Sequence, residues 1–213
     1  MSDLSNFQNP RFARAYERVS REAEARGTAR HRERALAGLT GRVIEIGAGN
    51  GLNFPHYPGG VTEVVAVEPE NLLRASAERA AASSAVPVRV VPGHAGALPA
   101  DDAGFDAAVL SLVLCSLPSP AEALAEVRRV LRPGGELHFF EHVRSERRLL
   151  ALFQDLIKPV WRLGSGGCHL NRDSAGAIRT AGFEIKELDR FSYAPLRLVP
   201  PHSHILGTAQ APH

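Results

Sequence analysis

The stretch Val43-Ile44-Glu45-Ile46-Gly47-Ala48-Gly49-Asn50-Gly51-Leu52 decides the fold of this 213-residue chain. Its first part is apolar and β-branched apart from one acid, and its second part is a glycine-rich turn. A buried parallel strand that ends in such a turn brings backbone groups to a ligand at the carboxyl edge of a sheet. Glycine is needed where the chain turns sharply or where a ligand approaches too closely for a Cβ atom. The stretch therefore predicts a ligand site in an α/β fold.

A second apolar run, from Val64 to Glu68, also ends in an acid. A carboxylate at the end of a neighbouring strand can accept hydrogen bonds from both ribose hydroxyls of a nucleoside. The dinucleotide fingerprint G-x-G-x-x-G is not met, because Leu52 stands where its third glycine would be. Glu45 would repel a pyrophosphate but attract an ammonium group. Together the two strand ends predict an adenosine-type pocket.

Strand-like apolar runs alternate with helical segments along most of the chain, which predicts an α/β, Rossmann-like, doubly wound sheet. We expect seven mostly parallel strands in a single domain, with the last strand antiparallel. The predicted strands are 42–46, 64–68, 86–91, 105–110, 136–141, 183–188 and 205–209. The predicted helices are 9–39 divided at Gly27, 71–82 capped by Asn71, 120–131, 145–163 interrupted at Pro159, and 171–181 capped by Asn171.

Composition limits the function classes. A net charge of +2 gives no strong attraction to nucleic acid, and 44% hydrophobic residues fit one large domain. Two cysteines without a CxxC pair, a polar N-terminus and no apolar run long enough for a bilayer predict a cytoplasmic protein. We expect an N-terminal helical arm at 1–40, followed by the main domain at 41–213, with a lid-like insertion at 144–172. The expected partner is a small molecule; nucleic acid is not expected.

The spacing E-x-G-x-G-x-G resembles the first motif of class I S-adenosylmethionine (SAM)-dependent methyltransferases. Leu131-Arg132-Pro133-Gly134-Gly135 before a strand is also typical of that class. Across about residues 40 to 210 the chain resembles one family in particular, the methyltransferase-like 7 proteins, which are alkyl thiol S-methyltransferases, with their bacterial relatives. The segments that carry this likeness are 105–117, 141–143, 167–172 and 201–207.

The resemblance implies SAM as the methyl donor and S-adenosylhomocysteine as the product. Glu68 is expected to hold the ribose, with Pro69 packed by the adenine. His94 stands where many class I enzymes have an acid that meets the adenine amine, and it should line that edge with Ala95. Ser111 and Leu112 should lie by the methionine part or the transferring methyl. The full set of candidate cofactor residues is Glu45, Gly47, Ala48, Gly49, Asn50, Gly51, Glu68, Pro69, His94, Ala95, Ser111 and Leu112.

Residues on the acceptor side come from segments that the fold would bring to the same edge. His142 is the candidate general base, although an alkyl thiol is partly ionised at neutral pH and does not require one. The candidate substrate-binding residues are Phe54, Tyr57, Phe153, Trp161, Cys168, His169 and His202. For each of them, core packing is the alternative. No metal is expected, since the histidines lack ligand spacing on a helix and His202-x-His204 alone is weak.

The same fold would serve other acceptors or no acceptor. Methylation of a phospholipid amine, a quinone or a phenol is one alternative, because the amphipathic stretch 149–161 could touch a membrane. A non-catalytic SAM-binding module is another, and it predicts cofactor binding without turnover. An NAD-dependent enzyme is a third reading, against which the missing third glycine argues.

Overall fold

The computed structural model describes residues 3–164, 166–197 and 199–212. Two helices precede the sheet, and further helices connect its strands. The strands are β1 Gly41–Ile46, β2 Val61–Val67, β3 Val88–Val91, β4 Phe105–Ser111, β5 Leu131–His142, β6 Glu184–Tyr193 and β7 His202–Gln210. The helices are α1 Pro10–Ala23, α2 Ala29–Leu36, α3 Asn71–Ala81, α4 Pro120–Val130, α5 Arg148–Gly164 and α6 Ser174–Thr180.

The seven strands form one sheet in the order β3-β2-β1-β4-β5-β7-β6. Strands β1 to β5 pair in parallel, and β7 pairs antiparallel with both β5 and β6. The predicted Rossmann-like sheet with an antiparallel last strand is confirmed. The register places Glu45 beside Ala66 of β2 and Val109 of β4, and His142 opposite His204 of β7. Strand ends that are remote in sequence are therefore neighbours at one edge.

Both faces of the sheet are covered, which explains the nearly continuous apolar runs of the central strands. On one face, Leu124 of α4 and Ile178 of α6 join a buried cluster with strand residues such as Ile44. On the other face, Leu36 of α2 and Ala77 of α3 pack in a second cluster. The core thus fixes the strand ends that carry the site.

The N-terminal arm is two helices, as Gly27 predicted. Asn9 caps α1 by accepting the Phe12 N–H, and Gly27 has a φ of +118° inside the π-helical turn Glu24–Thr28 that joins α1 to α2. Glycine adopts that conformation without the steric cost that other residues meet. The bend turns α2 back over the sheet, where Ala35 and Leu36 are buried.

Several predicted boundaries are wrong. The helix caps are Glu70 and Asp173 rather than the two asparagines, since these carboxylates accept the N–H groups of Leu73 and Gly176. Strand β5 begins at Leu131 rather than at residue 136, because Leu131 already pairs with β4, ahead of a register shift. Helix α5 runs on through residue 159 without interruption. Among the described residues, no helix combines the length and apolar character needed to cross a bilayer.

Candidate active site

A cavity of about 850 Å³ follows the carboxyl edge of the sheet. The strand order fixes the order of its wall: Glu68 follows β2, Gly47 and Gly49 follow β1, Ser111 ends β4 and His142 ends β5. Adjacent strands lie about 4.8 Å apart, so Glu68 and His142 are separated by three spacings, or about 14 Å. The cavity is thus long enough for an extended ligand to reach from the β2 end to the β5 end.

Glu68 and the glycine loop form one end of the cavity. The Glu68 carboxylate accepts the backbone N–H of Gly49 at 2.8 Å and that of Glu70 at 2.9 Å. Burial raises the pKa of this carboxyl above its ordinary value, while the two N–H donors oppose the rise. Gly47 and Gly49 have φ angles of +70° and +58°, and a Cβ on Gly47 would lie 2.8 Å from Val113. These positions therefore require glycine.

Glu45 lies behind the cavity wall rather than in it. Its carboxyl group accepts hydrogen bonds from the amide of Asn53 at 2.8 Å and the hydroxyl of Tyr57 at 2.7 Å. Burial raises its pKa to about 7, against the lowering effect of the Tyr57 and Asn53 hydrogen bonds and of the nearby Arg32 charge. Contact with a ligand in the cavity would be indirect, through Asn53 and Arg32.

Arg32 of α2 is a buried cation in the cavity wall, 5% exposed. Its guanidinium donates to Asn53 Oδ1 at 2.9 Å, to Ser111 Oγ at 3.0 Å and to Glu24 Oε1 at 2.8 Å. A buried charge is retained only when it is paired or when it meets a charged ligand. The ion pair with Glu24 meets this requirement, and the guanidinium lies between the glycine loop and the end of β4.

Glu141 organises the loop that follows β4. Its fully buried carboxyl group accepts the backbone N–H groups of Val113, Leu114 and Cys115 at 2.8, 2.9 and 3.1 Å. Burial raises its pKa well above the ordinary value. Leu112 in the same loop has a φ of +61°, a strained conformation for a residue with a side chain. The loop is therefore held in one shape by a neighbouring strand.

A group of cysteines and histidines lies at the β5 end. His142 Nδ1 lies 3.3 Å from Cys168 Sγ and 3.6 Å from Cys115 Sγ, and its Nε2 lies 3.1 Å from His202 Nε2. Cys115, His142, Cys168 and His202 all line the cavity. The backbone N–H of His169 donates to the Cys115 carbonyl at 2.8 Å, which fixes the cysteine loop against the loop after β4.

Hydrogen bonding sets the protonation of the two paired histidines. The Pro200 carbonyl lies 3.0 Å from His202 Nδ1 and can only accept, so Nδ1 carries the hydrogen. Burial and the neighbouring His142 lower the pKa of His202 to about 4, so its Nε2 is a lone-pair acceptor at neutral pH. His142 then donates from Nε2, and its Nδ1 faces the two sulfurs. The Cys168 thiol and burial raise the pKa of Cys115.

The predicted site residues divide into two groups. Those that line the cavity are Gly47, Gly49, Glu68, Ser111, Leu112, His142, Trp161, Cys168 and His202. Those outside its wall are Glu45, Ala48, Asn50, Gly51, Phe54, Tyr57, Pro69, His94, Ala95, Phe153 and His169. Phe54 and Tyr57 are buried core residues, whereas Phe153 is 48% exposed on α5. Of the four aromatic residues predicted to bind the acceptor, Trp161 lines the cavity and these three do not.

Asn50, His94 and His169 lie outside the cavity wall but make contacts that support it. Asn50 donates from its amide to Ser20 of α1, and Phe7 stacks on His94 with ring centroids 4.8 Å apart. Arg172 lies 2.9 Å from His169 Nδ1 and donates to the carbonyls of the loop after β4. These contacts hold the arm and two loops around the cavity.

Three functional candidates were not found from the sequence: Arg32, Glu141 and Cys115. Arg32 lies among alternating arginines of a segment whose pattern indicates a solvated face. For Cys115 a signal was present, because it follows β4 and the edge rule brings that loop beside His142. Glu141 immediately precedes His142 in β5, but no pattern indicates that its carboxylate turns to backbone donors.

Comparisons with known proteins identify the family of this chain. A family model described as a methyltransferase domain matches residues 44–139. The chain is 36% identical to the human thiol S-methyltransferase TMT1B over 183 residues, covering 83% of this chain and 74% of that protein. It is also 36% identical to human TMT1A over 180 residues, covering 82% and 73%.

A solved methyltransferase structure from Bacillus halodurans is similar in fold, with a TM-score of 0.71 and 19% identity. The match covers 87% of this chain and 99% of that one. At that identity the likeness concerns the fold alone, and the membership follows from the curated relatives. The chain belongs to the SAM-dependent methyltransferase family that includes the thiol S-methyltransferases TMT1A and TMT1B.

Proposed function

We propose that this chain transfers the methyl group of SAM to the sulfur of a small, largely apolar thiol. The observation that carries the proposal is the continuous cavity along the strand ends, which joins Glu68 at one end to His142 at the other. A methyl donor and its acceptor must lie end to end for a direct transfer. The cavity provides that arrangement within one wall.

The residues at the β2 end fit SAM by their chemistry. Glu68 is a buried carboxylate suited to ribose hydroxyls, and Gly47 and Gly49 allow close approach of the backbone. Arg32 is a buried cation suited to the methionine carboxylate. Glu45 would act one layer back, by holding Asn53 against Arg32.

Five further cofactor candidates would act indirectly, by shaping or supporting the cavity wall. Asn50 would fix α1 over the loop through Ser20, and His94 would close the adenine side together with Phe7. Ser111 would hold the Arg32 side chain, and Leu112 would shape the wall at the strained turn. Gly51 would keep the loop compact, since a Cβ there would lie 2.7 Å from the Phe54 ring.

The acceptor end of the cavity is suited to a thiol, because its lining is apolar apart from the group of cysteines and histidines at the β5 end. Its apolar wall comprises Val113, Leu117, Leu156, Ile157, Trp161, Pro195, Leu196 and Val199. Bound SAM supplies a methyl group made electrophilic by its sulfonium. The wall excludes water, and the lone pair of His142 Nδ1 is available for the thiol proton. His202 keeps that lone pair directed toward the acceptor end.

Two segments would control access. Side chains of α1, including Phe12 and Tyr16, cover one side of the cavity, and Leu156 of α5 lies at its opening with 78% exposure. We therefore assign residues 1–40 as a covering arm and 144–172 as a lid on the domain 41–213. Direct transfer forms no reactive intermediate that water could hydrolyse. Closure would therefore serve to align the donor with the acceptor and to exclude competing nucleophiles.

The experiment that tests the proposal is a matched acceptor series. Purified protein is incubated with labelled SAM and an alkanethiol, the alcohol of the same carbon chain or the corresponding amine, and the methylated products are separated. We expect the thioether to be the main product. Faster turnover of the alcohol, the amine, a phenol or a quinol would refute the thiol assignment. Calorimetry with S-adenosylhomocysteine and with NADH checks the donor, and binding of NADH alone would refute it.

A further inference from the structure

The side chains of Cys115, Cys168 and His142 converge on one point of the cavity wall. Their ligand atoms all lie within 4.8 Å of one another, with the two sulfurs 3.6 and 3.3 Å from His142 Nδ1. The three residues come from the loop after β4, the end of β5 and the loop before α6. Each of them borders the cavity.

Two thiols and an imidazole are the ligands that soft and borderline divalent cations prefer. Three protein ligands with a free fourth position are the mark of a catalytic rather than a structural zinc site. We propose that Cys115, Cys168 and His142 Nδ1 bind one zinc-type divalent cation, whose fourth position opens into the acceptor end of the cavity. Nothing in the sequence spacing predicts this site, because the ligands meet only through the sheet topology.

The surroundings of His142 match those of a metal-bound histidine. Such a histidine almost always donates its second ring N–H to an acceptor, which orients the ring. Here His142 Nε2 lies 3.1 Å from His202 Nε2, and His202 is itself fixed by the Pro200 carbonyl at 3.0 Å. The chain of hydrogen bonds leaves Nδ1 as the free ligand atom, on the side of the two sulfurs.

A second set of ligands, His142, His202 and His204, is also close enough to share an ion. It is the weaker candidate for two reasons. Binding through His142 Nε2 would remove the hydrogen bond to His202. His204 is fully buried and does not line the cavity, so one of the three ligands would hold the ion away from the acceptor end. The two cysteines therefore define the site.

The role of the cation rests on the proposed function. An acceptor thiol at the fourth position would lose its proton to solvent on coordination, because a metal-bound thiol is deprotonated. Its sulfur would form the new bond to the methyl carbon. The methyl–sulfonium bond would break with its electron pair on the sulfur of S-adenosylhomocysteine, and the neutral thioether would leave. His142 would then hold the metal, and no separate base would be needed.

Co²⁺ alone, added to the full-length protein kept reduced by a phosphine, is the probe for the site. We expect one Co²⁺ per chain, a thiolate-to-cobalt charge-transfer band and the d–d bands of tetrahedral geometry, all abolished by added Zn²⁺. Wild-type protein that shows no charge-transfer band would overturn the inference without recourse to any variant.

Variants locate the ligands. Cys115→Ser and Cys168→Ser should each lose or weaken the charge-transfer band, whereas His204→Asn should retain it. Loss of metal binding in His204→Asn with retention in both serine variants would refute the cysteine site in favour of the three histidines. Circular dichroism checks that each variant is folded. If a variant is unfolded, the Co²⁺ spectrum of the wild-type protein decides the inference.

Two further measurements distinguish a failure of this inference from a failure of the proposed function. Adding the alkanethiol to the Co²⁺ protein should shift the d–d bands, whereas the matched alcohol should not. A protein that methylates thiols but binds no metal would refute the metal site alone. A protein that binds Co²⁺ through its cysteines but methylates no thiol would refute the proposed acceptor and leave the site in place.

Discussion

The guanidinium of Arg32 donates a hydrogen bond to Ser111 Oγ at 3.0 Å, which joins the N-terminal arm to the end of the central strand β4. The same group donates to Asn53 Oδ1, whose amide donates to Glu45. The acid of the glycine motif is thus connected to the cavity through the arm. If the methionine carboxylate of SAM meets Arg32, the arm is part of the cofactor site.

Replacement of Arg32 tests that role. Arg32→Gln should weaken S-adenosylhomocysteine binding by about 10- to 100-fold, because a charge-assisted hydrogen bond is worth about 1.5–3 kcal/mol. Calorimetric titration measures the change. Arg34→Gln is the matched control, since Arg34 is on the same helix and its pair with Asp189 is half exposed. Equal affinities in the two variants would show that Arg32 has only a structural role.

Glu68 is the residue expected to hold the ribose. Glu68→Ala removes the carboxylate from the cavity and should raise the Kd of S-adenosylhomocysteine by at least about 10-fold. Glu63→Ala, on the outer part of β2 where Glu63 pairs with Arg42, is the control and should bind normally. Normal binding by Glu68→Ala would remove the ribose assignment, provided that thermal unfolding confirms a folded variant.

Patterns that are contiguous in sequence were sufficient to predict the sheet and the positions of Glu68, Gly47 and Gly49. A strand and the turn after it are specified locally, and the parallel topology brings their ends together. Arg32 could not be predicted in this way, because its burial depends on α2 folding back over the sheet. Its neighbours in the arm are also arginines, and only the fold distinguishes them.

Residues on the acceptor side were predicted less well, for a related reason. Apolar periodicity indicates that α5 is amphipathic, but it does not indicate which residues of the helix line the cavity. Trp161 lines the cavity, whereas Phe153 is exposed. Phe54 and Tyr57 follow the glycine loop, and the turn sends them into the core beneath it. Side-chain direction in such turns is a property of the packed structure.

Glu45 should make stability depend on pH. Its pKa is raised by burial to about 7 from 4.5, so the folded state holds a proton that the unfolded state has lost. The contribution of Glu45 to the free energy of unfolding is therefore greatest below pH 4.5. It falls by about 3 kcal/mol as the pH rises from 4.5 to 7. Glu45→Gln, which has no such proton, should gain stability relative to wild type across that window.

Urea unfolding of both proteins at several pH values measures the difference in free energy of unfolding. Comparing wild type with Glu45→Gln removes the contributions of other titrating groups, to the extent that those groups do not interact with Glu45. A difference that stays constant from pH 4.5 to 7 would mean that Glu45 has an ordinary pKa in the folded state.

Gly49 should be required for cofactor binding in particular. A side chain at this position would be strained at a φ of +58°, and its Cβ would lie 3.4 Å from the Tyr16 ring at the cavity. Gly49→Val should therefore abolish S-adenosylhomocysteine binding. Gly38→Val is the matched control, because Gly38 has a φ of +81° and open space around it. Both variants should lose stability, and only Gly49→Val should lose the ligand.

His202 is a positioning residue whose effect passes through His142. His202→Phe would leave the His142 Nε2–H without its acceptor, so the ring would no longer be held with Nδ1 toward the acceptor end. We expect a fall in kcat for thiol methylation of about 10- to 100-fold, the range found when the hydrogen-bond partner of a metal-ligating histidine is removed. The KM for SAM should be unchanged, since from β7 the glycine loop after β1 is three strand positions away and Glu68 after β2 is four. His202→Gln restores a carbonyl acceptor and should recover part of the rate. A rise in the KM for SAM, or equal losses in the two variants, would indicate a packing defect instead.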